Sequence, residues 1–294
     1  EGALYEYVPQ ESEYTYEGIM RMLYDHKLGK DEAENAIQRL ATMNTDWFKI
    51  LTRNSFSHNH NLTISGGSKK ITYNASLGFT DQSGVELRND SKRLTGRLNL
   101  GVKLHAKLRL DMTLAGTMSE TDGYAAGVNP VQYATTTSRS VPAYNEDGSR
   151  YFLRKKTNYK LNTNEDLYLG YNILNEIDNS YSKNKVTLLN GNLNFSWNIL
   201  PWLKYEFVGG LSVQNGARES FAGEQTYYVA SQYRGYDYGT EEYGSDRYKA
   251  AMLPHGGELY NSEMNQTSWN IHNKLSVQKN FGRVGFGSAG GALS

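Results

Sequence analysis

The sequence predicts an all-β protein arranged as an antiparallel meander, and three observations support this prediction. Apolar and polar residues alternate with a period of two along seven segments, as in strands with one apolar face. The 294 residues include 29 Gly and 23 Tyr but only 5 Pro, which suits many strands joined by turns. Tight and long connections also follow one another in turn along the chain. Together these features favour strands over packed helices.

Composition excludes several classes of function. Lys+Arg and Asp+Glu are equal at 31 each, so the chain has no overall positive field that would attract nucleic acid. The absence of Cys rules out disulfides, thiolate metal ligands and a cysteine nucleophile. No apolar run approaches the ~18 residues of a membrane-spanning helix. Because the chain opens at Glu1 without the pattern of a signal peptide, we expect it to be a fragment of a longer protein.

The segment before the first strand carries helical signals. Apolar residues follow helical spacing at Ile19, Met20, Leu23 and Tyr24. Asp31 with Glu34 resembles a capping box that would begin a second helix. We therefore expect a short helical hairpin near the N-terminus. It would pack as a cap over loop surface or, alternatively, serve as a partner-binding helix.

Each predicted strand has one apolar and one polar face. In residues 71–80, Leu77 and Phe79 lie on the apolar face, with Ser76 and Thr80 on the other. The predicted strands are 61–65, 71–80, 94–104, 108–114, 189–199, 203–213 and 269–277, and an eighth would begin near Val284. Tilted strands of about 9 to 11 residues cross a bilayer, but soluble sandwiches also alternate, so this pattern alone leaves both possibilities open.

The connections separate the two possibilities. In chain order they are 66–70, 81–91, 105–106, 120–184, 200–202, 215–266 and 280–283. In an antiparallel meander every second connection lies at the same end, so the tight turns share one end and the long connections the other. Outer-membrane barrels have this asymmetry, with short periplasmic turns and long extracellular loops. We therefore predict transmembrane β-barrel strands.

The predicted organisation follows from the strands and connections. It consists of an extracellular segment with short helices (1–57), four barrel strands (58–119), a long extracellular loop (120–184), two strands (185–214), a Tyr-rich extracellular loop (215–266), and the seventh strand with the start of an eighth (267–294).

Several segments resemble SusC/RagA-type TonB-dependent outer-membrane transporters. The resemblance begins with NTDWF at 44–48 and HNHNLTISGG at 58–67 and continues through 73–79, 81–84 and 97–99. A second group of matches lies at 273–275 and 279–282. The similar residues are concentrated in 40–120 and 185–283, and the long loops carry no motif of the family.

This resemblance implies a nutrient importer in the outer membrane of a Gram-negative cell. It implies a 22-stranded barrel with an N-terminal plug, a segment that contacts the TonB complex, and a SusD-like surface lipoprotein as a lid. Seven or eight strands would be only part of that barrel. The family favours an oligosaccharide substrate, with a peptide as the alternative, and supplies neither catalytic residues nor a cofactor.

Tyrosine placement provides the main candidate site. Of the 23 Tyr, 21 lie in the three predicted outer segments, and only Tyr73 and Tyr205 fall on predicted strands. The candidates for contact with the ligand or lipoprotein are Tyr227, Tyr228, Tyr233, Tyr236, Tyr238 and Tyr243. Their rings and hydroxyls suit stacking on sugars or contact with another protein. They could equally pack the loop onto itself.

Three further residues are predicted to be membrane-interface anchors. His58 and His60 share a face with Leu62 and Ile64, so we predict anchoring at the outer rim; no third metal ligand is evident, and we predict no metal site. Trp202 lies at a tight turn and is predicted to join a periplasmic aromatic girdle.

The remaining charged residues suggest no catalytic site. A group of carboxylates in the Tyr-rich loop matches no calcium-loop spacing and is predicted to be solvated: Asp237, Glu241, Glu242 and Asp246. Another group on the polar face is expected to balance charges across neighbouring strands or to touch a plug, and not to bind substrate: Arg97, Asp111, Lys204 and Glu206.

We predict that the chain is not an enzyme and uses no cofactor. The sequence has no G-x-S-x-G, phosphate-loop or H-E-x-x-H motif. Two other functions stay open from the residues alone. One is a soluble, secreted, carbohydrate-binding β protein, and the other is a glycan-cleaving enzyme, whose two facing carboxylates sequence spacing cannot reveal.

Overall fold

The computed structural model describes residues 14–125, 127–157, 159, 167–281, 284–285 and 291–293. It is dominated by an antiparallel eight-stranded sheet in the order β1-β2-β3-β4-β7-β8-β9-β12, with its two edge strands unpaired to each other. These strands are β1 Ser57–Gly67, β2 Ile71–Ser83, β3 Asp90–His105, β4 Leu108–Gly123, β7 Ser180–Leu200, β8 Leu203–Ala222, β9 Glu258–Val277 and β12 Gly291–Leu293. The predicted antiparallel meander is confirmed.

Two small hairpins and several short helices complete the described fold. The hairpins pair β5 Leu153–Lys156 with β6 Tyr168–Tyr171, and β10 Asn280–Phe281 with β11 Val284–Gly285. The helices are α1 Tyr16–Tyr24, α2 Lys30–Thr42, α3 Trp47–Leu51, α4 Pro130–Thr136, α5 Ile173–Asp178, α6 Tyr227–Val229 and α7 Asp246–Ala250, with a π-helical turn at Ala230–Arg234. Among the described residues, no helix has both the length and the hydropathy to span a membrane.

Strand register aligns each face of the sheet across neighbouring strands. One row of directly paired residues is mainly apolar: Ala75, Leu98, Leu114, Gly191, Leu211 and Trp269. The adjacent row, on the opposite face, is polar or glycine: Asn74, Asn99, Thr113, Asn192, Gly210 and Asn270. A one-residue slip would exchange the two faces, so alternation along each strand fixes the register.

Three tight connections lie at one end of the sheet, as predicted, at residues 68–70, 106–107 and 201–202. The predicted fourth, at 280–283, does not join two strands of the sheet directly, because β10 and β11 lie between β9 and β12. At the other end the strands extend further than the alternation indicates, and β7 has 21 residues. Their outer parts carry polar side chains on both faces, for example at Lys183 and Lys185 beside Asn184. Period-two hydrophobicity therefore could not reveal these extensions.

The connection between β2 and β3 is shorter than predicted. It covers residues 84–89 instead of 81–91 and is short, in contrast to the long connections at 124–179 and 223–257. Arg88 adopts a left-handed conformation, with φ of 59°, and its Nη1 donates to the Ile177 carbonyl at 2.9 Å. The short connection is therefore attached to the first long loop.

The C-terminal part also differs from the prediction. Residues 284–285 belong to the small hairpin, and the eighth strand of the sheet is β12, which pairs with β9 at 273–275. The prediction that the eighth strand of the sheet begins near Val284 is therefore wrong. Part of the predicted Gly-rich end, at 286–290 and 294, lies outside the described residues.

The predicted N-terminal helical hairpin is present as α1 and α2. Its core is formed by Ile19 with Ala33 and Ala36. The predicted capping box at Asp31 and Glu34 is wrong, because the N-cap of α2 is Gly29, two residues earlier, and its partner is Glu32. The Gly29 amide donates to Glu32 Oε2 at 2.7 Å. Of the predicted outer segment 1–57, residues 1–13 lie outside the described part.

The buried hydrophobic side chains lie almost entirely above the sheet. We call the described parts of 14–56, 124–179 and 223–257 the outer layer. Within the described residues, Ala222 is the one buried hydrophobic residue that belongs to the eight-stranded sheet. Leu77 is 59% exposed, and neither Leu100 nor Phe195 is buried. The apolar face of the sheet therefore does not enclose a core.

Candidate functional site

The outer layer is held together by a hydrophobic cluster that combines distant segments. Its buried members are Trp47, Leu51, Tyr133, Val141, Ala143, Leu153, Tyr171, Ile173, Leu174 and Ile177. The Trp47 and Tyr133 rings meet edge to face at 4.9 Å, and Trp47 Nε1 donates to the Ser138 carbonyl at 3.3 Å. Aromatic pairs of this geometry add to the stabilisation from burial. The N-terminal segment is thereby fixed onto the first long loop.

A buried carboxylate joins the two long loops. Glu176 on α5 is 2% exposed, and its Oε1 accepts a hydrogen bond from the Tyr227 amide at 2.7 Å. Its Oε2 lies 3.4 Å from the Tyr228 amide. These amides belong to the first turn of α6, where main-chain donors have no helical partner. Beside them, Asn175 Nδ2 donates to the Gln225 carbonyl at 2.8 Å.

Burial raises the pKa of Glu176 to about 7. The hydrogen bonds from the Tyr227 and Tyr228 amides and the positive charge of Lys155 act in the opposite direction but do not cancel the effect of burial. The junction between the loops therefore contains a carboxyl group that changes charge near neutral pH.

A cleft of about 410 Å³ opens between the β5–β6 hairpin and the segment that follows β8. Its principal lining residues are Phe152, Arg154, Gly170, Tyr227, Asp237 and Tyr238. Arg154 Nη1 lies 3.5 Å from Asp237 Oδ2, while Asp237 Oδ1 accepts a hydrogen bond from the Gly170 amide at 2.9 Å. This size falls within the range of small-molecule pockets.

Tyr238 is held at the edge of this cleft. Its ring lies 5.4 Å from the Arg234 guanidinium carbon, in a cation–π arrangement. Its hydroxyl is hydrogen-bonded to Glu224, which raises the pKa of Tyr238. Even so, the residue is 45% exposed. The cleft thus presents an exposed aromatic ring whose position is fixed on two sides.

The predicted tyrosines occupy different environments, and the structure does not bring all six into one site. Tyr236 is buried, whereas Tyr243 is 90% exposed. Tyr228 and Tyr233 both direct their hydroxyls to Glu258 at the start of β9. These four residues lie outside the principal lining of the cleft.

Tyr227 and Tyr238 are the two predicted tyrosines that line the cleft. Tyr227 also packs against the main cluster and donates its hydroxyl to the Lys156 carbonyl at 2.6 Å. The count of tyrosines on strands needs correction, because Tyr181 and Tyr260 lie in the outer parts of β7 and β9, and Tyr168 and Tyr171 lie in β6. Those outer parts were not predicted as strand.

Sequence reasoning did not identify three of the lining residues as a group. Phe152 and Arg154 belong to the first long loop, and Asp237 belongs to the second. Asp237 had been interpreted as a solvated loop carboxylate. Only the folding of one loop against the other brings these residues together, and no local spacing in the sequence signals that contact.

The predicted anchors lie at opposite ends of the sheet. His58 and His60 are on β1, with ring centroids 5.4 Å apart, and Phe56 and Phe79 lie within 6.2 Å of the His58 ring. Trp202 lies on the tight turn at 201–202, with the Lys279 ammonium 5.5 Å from its ring centroid. Their anchoring role stays a prediction. In the part of the chain that the structure describes, no group of three potential His, Cys, Asp or Glu metal ligands occurs.

Charges on the polar face pair mostly within single strands. Arg109 contacts both carboxylate oxygens of Asp111 at 2.7 Å. Lys204 and Glu206 pair at 2.5 Å, and Lys274 approaches Glu206 from the neighbouring strand at 3.6 Å. The expectation of cross-strand balance is therefore met at Glu206 but not at Asp111. Residues two apart on a strand share a face, which explains the pairs within strands.

Arg97, the remaining member of that predicted group, makes a weaker contact. Its Nε donates to Asn99 Oδ1 on the same strand at 3.4 Å.

No family model matches the chain. It is 34% identical over 85 residues to the TonB-dependent receptor SusC of Bacteroides thetaiotaomicron, covering 29% of this chain and 8% of that protein. It is 28% identical over 106 residues to the TonB-dependent receptor P26 of Formosa agariphila, covering 36% and 10%. The chain thus spans about a tenth of the length of the curated relatives it matches.

Solved structures share the fold. The RagAB peptide transporter aligns with a TM-score of 0.59 and 14% identity, covering 96% of this chain and 31% of that one. The RagAB peptide importer in its closed-closed state aligns with a TM-score of 0.56 and 16% identity, covering 82% and 24%. These relatives are named as receptors and transporters, in agreement with the prediction that the chain is not an enzyme.

Proposed function

We propose that this chain is a segment of a SusC/RagA-type TonB-dependent transporter and that the whole protein imports a nutrient across the outer membrane of a Gram-negative cell. The eight-stranded sheet forms part of the barrel wall. The loops at 124–179 and 223–257 lie outside the cell and form part of the chamber that receives the substrate.

The observation that carries this proposal is the exposed apolar face of the sheet. Leu77 is 59% exposed, Leu211 49% and Trp269 72%. They belong to a surface that is continuous across adjacent strands and includes few charged groups. An apolar surface of this extent is rare on a soluble monomer, whereas the hydrocarbon of a bilayer covers it without cost.

The opposite face suits a water-filled passage. Its middle row consists of amides, a hydroxyl and glycine, and its charged residues include the ion pairs around Glu206 and Asp111. Polar side chains toward the lumen and apolar side chains toward lipid alternate in outer-membrane barrels. The segment therefore supplies both surfaces that such a wall needs.

We assign two partners to the whole protein. A SusD-like surface lipoprotein sits on the outer layer, whose exposed side chains include Tyr243 at 90% and Met252 at 77%. Aromatic residues and Met are enriched at protein interfaces. The TonB complex is reached through parts of the protein outside this chain.

The substrate we propose is an oligosaccharide. Support comes from the exposed aromatic and polar lining of the cleft and from the curated relative SusC. A peptide is the second candidate, because the solved structures that share the fold are named as peptide transporters.

Fractionation of the full-length gene product in its own host tests the membrane assignment. We expect recovery in the outer-membrane fraction and extraction only with detergent, while a periplasmic marker protein stays soluble. Recovery of the full-length protein in the soluble fraction without detergent would contradict the proposal. Uptake of labelled oligosaccharides and labelled peptides by cells with and without the gene then distinguishes the two substrate classes.

A further inference from the structure

We propose that the cleft between the two long loops is a carbohydrate subsite, in which a neutral sugar ring stacks on Tyr238 and hydrogen-bonds to Arg154 and Asp237. The inference rests on the proposed function and deepens it, because it assigns a substrate class to a defined group of residues. Each part of the cleft contributes one feature of this recognition.

Tyr238 supplies a pre-organised stacking surface. Its ring is held by Arg234 on one side and by the hydroxyl contact with Glu224, yet 45% of the residue is exposed. The axial hydrogens of a pyranose give the sugar an apolar face that packs on such a ring. Because the ring is already fixed, sugar binding would require little loss of side-chain entropy.

Arg234 shows how strongly this ring is supported. The residue is 2% exposed, and its Nε and Nη1 have no hydrogen-bond partner among the described residues. Its Nη2 donates to the Glu224 carbonyl. Burying an incompletely hydrogen-bonded guanidinium costs free energy, and the fold keeps Arg234 against the Tyr238 ring despite that cost. A loop tyrosine with no role would not need this support.

The polar side of the cleft suits a neutral polyol. Arg154 and Asp237 meet through one loose contact of 3.5 Å, and the Arg154 side chain is 62% exposed. Vicinal sugar hydroxyls both donate and accept, so they can bridge a guanidinium and a carboxylate that lie side by side. The two charges cancel, and no other charged side chain is among the described residues that line the cleft, so those residues do not favour a charged ligand.

An extended peptide fits this cleft less well. Peptides often bind by adding a strand to an open sheet edge, through free main-chain donors. The Gly170 amide of β6 faces the cleft but already donates a hydrogen bond to Asp237 Oδ1. The volume of about 410 Å³ also lies near the lower end of the range for ligand pockets, which suits one or two sugar rings.

The test uses the purified full-length transporter in detergent and calorimetric titration with neutral hexose and pentose oligosaccharides of different linkage. Tyr238→Ala should weaken binding of the best oligosaccharide by about tenfold or more, because it removes the stacking surface. Tyr238→Phe should keep the affinity within about threefold, since it retains the ring. Tyr144→Ala is the matched control: it removes a tyrosine of the first long loop that is 50% exposed and lies outside the cleft, so affinity should be unchanged.

A second variant fills the cleft without altering Tyr238. A Cβ added at Gly170 would lie 3.3 Å from Phe152 Cβ and 3.5 Å from the Asp237 carboxylate oxygens. Gly170→Leu therefore directs its side chain into the cleft and should abolish oligosaccharide binding. The protease-cleavage pattern of each variant, compared with that of the wild type, reports whether the outer layer has folded.

Several outcomes would overturn the inference. They are wild-type affinity in both Tyr238→Ala and Gly170→Leu, an equal loss in Tyr238→Phe and Tyr238→Ala, or binding of short peptides alone by the wild-type protein. In each of these cases the importer function still stands if the protein fractionates with the outer membrane. Recovery in the soluble fraction would instead remove the proposed function, whatever the cleft binds.

Discussion

The eight-stranded sheet exposes large apolar residues such as Leu211 and Trp269, whereas the outer layer buries Trp47, Tyr133 and Ile173. The two regions therefore treat the same type of side chain in opposite ways, within one continuous chain. In the sheet the main-chain hydrogen bonds run along strands of up to 21 residues, and the apolar side chains face outward. In the outer layer, side chains from distant segments pack into the cluster around Trp47, and two smaller clusters form around Ile19 and Val229.

This difference shows that the environment, more than the residue type, decides what an apolar side chain does. A bilayer can cover the apolar face of a sheet, so the sheet needs no core of its own. Loops in water have no such cover and must bury their apolar residues against each other. Each of the following predictions compares one region with the other.

The largest expected effect comes from removing a buried ring in the outer layer. Trp47→Ala deletes a side chain that is 2% exposed and breaks its contact with Tyr133, which should destabilise the outer layer by about 3 to 5 kcal/mol. Trp269→Ala, at a site 72% exposed, is the matched change in the sheet and should cost less than about 1 kcal/mol. Hydrogen exchange of the full-length protein should show faster exchange at 124–179 in Trp47→Ala alone. Equal destabilisation by the two substitutions would contradict the difference between the outer layer and the sheet.

A charge placed on the sheet tests which face contacts lipid. Leu211→Arg puts a guanidinium near the middle of the apolar face, where we expect a cost of about 2 to 4 kcal/mol in a bilayer. Ser212→Arg puts the same group on the polar face, between Asn190 and Ser268, and should change stability by less than about 1 kcal/mol. Urea unfolding of the full-length barrel in lipid vesicles measures both values. A larger cost at Ser212 would mean that the two faces have been assigned the wrong way round.

The sequence was sufficient to predict the sheet because apolar and polar residues alternate along the middle of each strand, which separates the two faces. Alternation around Leu98 and Leu193, together with turns such as 106–107, fixes strand order and register locally. The outer strand extensions were missed because their two faces are equally polar. The 84–89 connection was predicted too long for the same reason.

The cleft was not predictable by the same means. Arg154 and Asp237 are 83 positions apart and meet only after the two loops pack against one another. A tyrosine-rich loop indicated an aromatic surface, but burial of Tyr236 and exposure of Tyr238 depend on contacts that no local pattern encodes. The period of the hydrophobic pattern predicts individual strands and helices, whereas the arrangement of irregular loops depends on long-range packing.

A smaller, pH-dependent effect is expected at the junction of the two loops. The pKa of buried Glu176, about 7, lies above the ordinary value of 4.5, so the folded junction favours the protonated form. Protonated Glu176 therefore contributes fully to the stability of the folded state below about pH 4.5, and this contribution is lost as the pH rises through 7. Each unit of pKa shift corresponds to about 1.4 kcal/mol, so the pH-dependent contribution of Glu176 to the free energy of unfolding is at most ~3 kcal/mol.

Amide exchange at residues 226–229 measures this effect, after correction for the intrinsic pH dependence of exchange. Between pH 6 and pH 8 these amides should become less protected in the wild type. Glu176→Gln keeps an acceptor for the Tyr227 amide but cannot ionise, so its protection should be independent of pH. The sheet amides serve as an internal reference. A constant protection of residues 226–229 in the wild type would show that Glu176 does not control the junction.

The smallest effect concerns the one amide that interrupts the apolar pattern of β9. Asn273 lies opposite Phe207, and its Oδ1 accepts a hydrogen bond from the Tyr205 hydroxyl at 2.7 Å. Tyr205→Phe leaves the amide without this partner on the face that we propose contacts lipid, so stability should fall by about 1 kcal/mol. Adding Asn273→Leu to Tyr205→Phe removes the unpaired amide and should restore most of the loss. Urea unfolding of the two single variants and the double variant gives the coupling energy. A coupling energy of zero would show that the sheet tolerates a polar group on this face without pairing it, in contrast to the buried carboxylate of the outer layer.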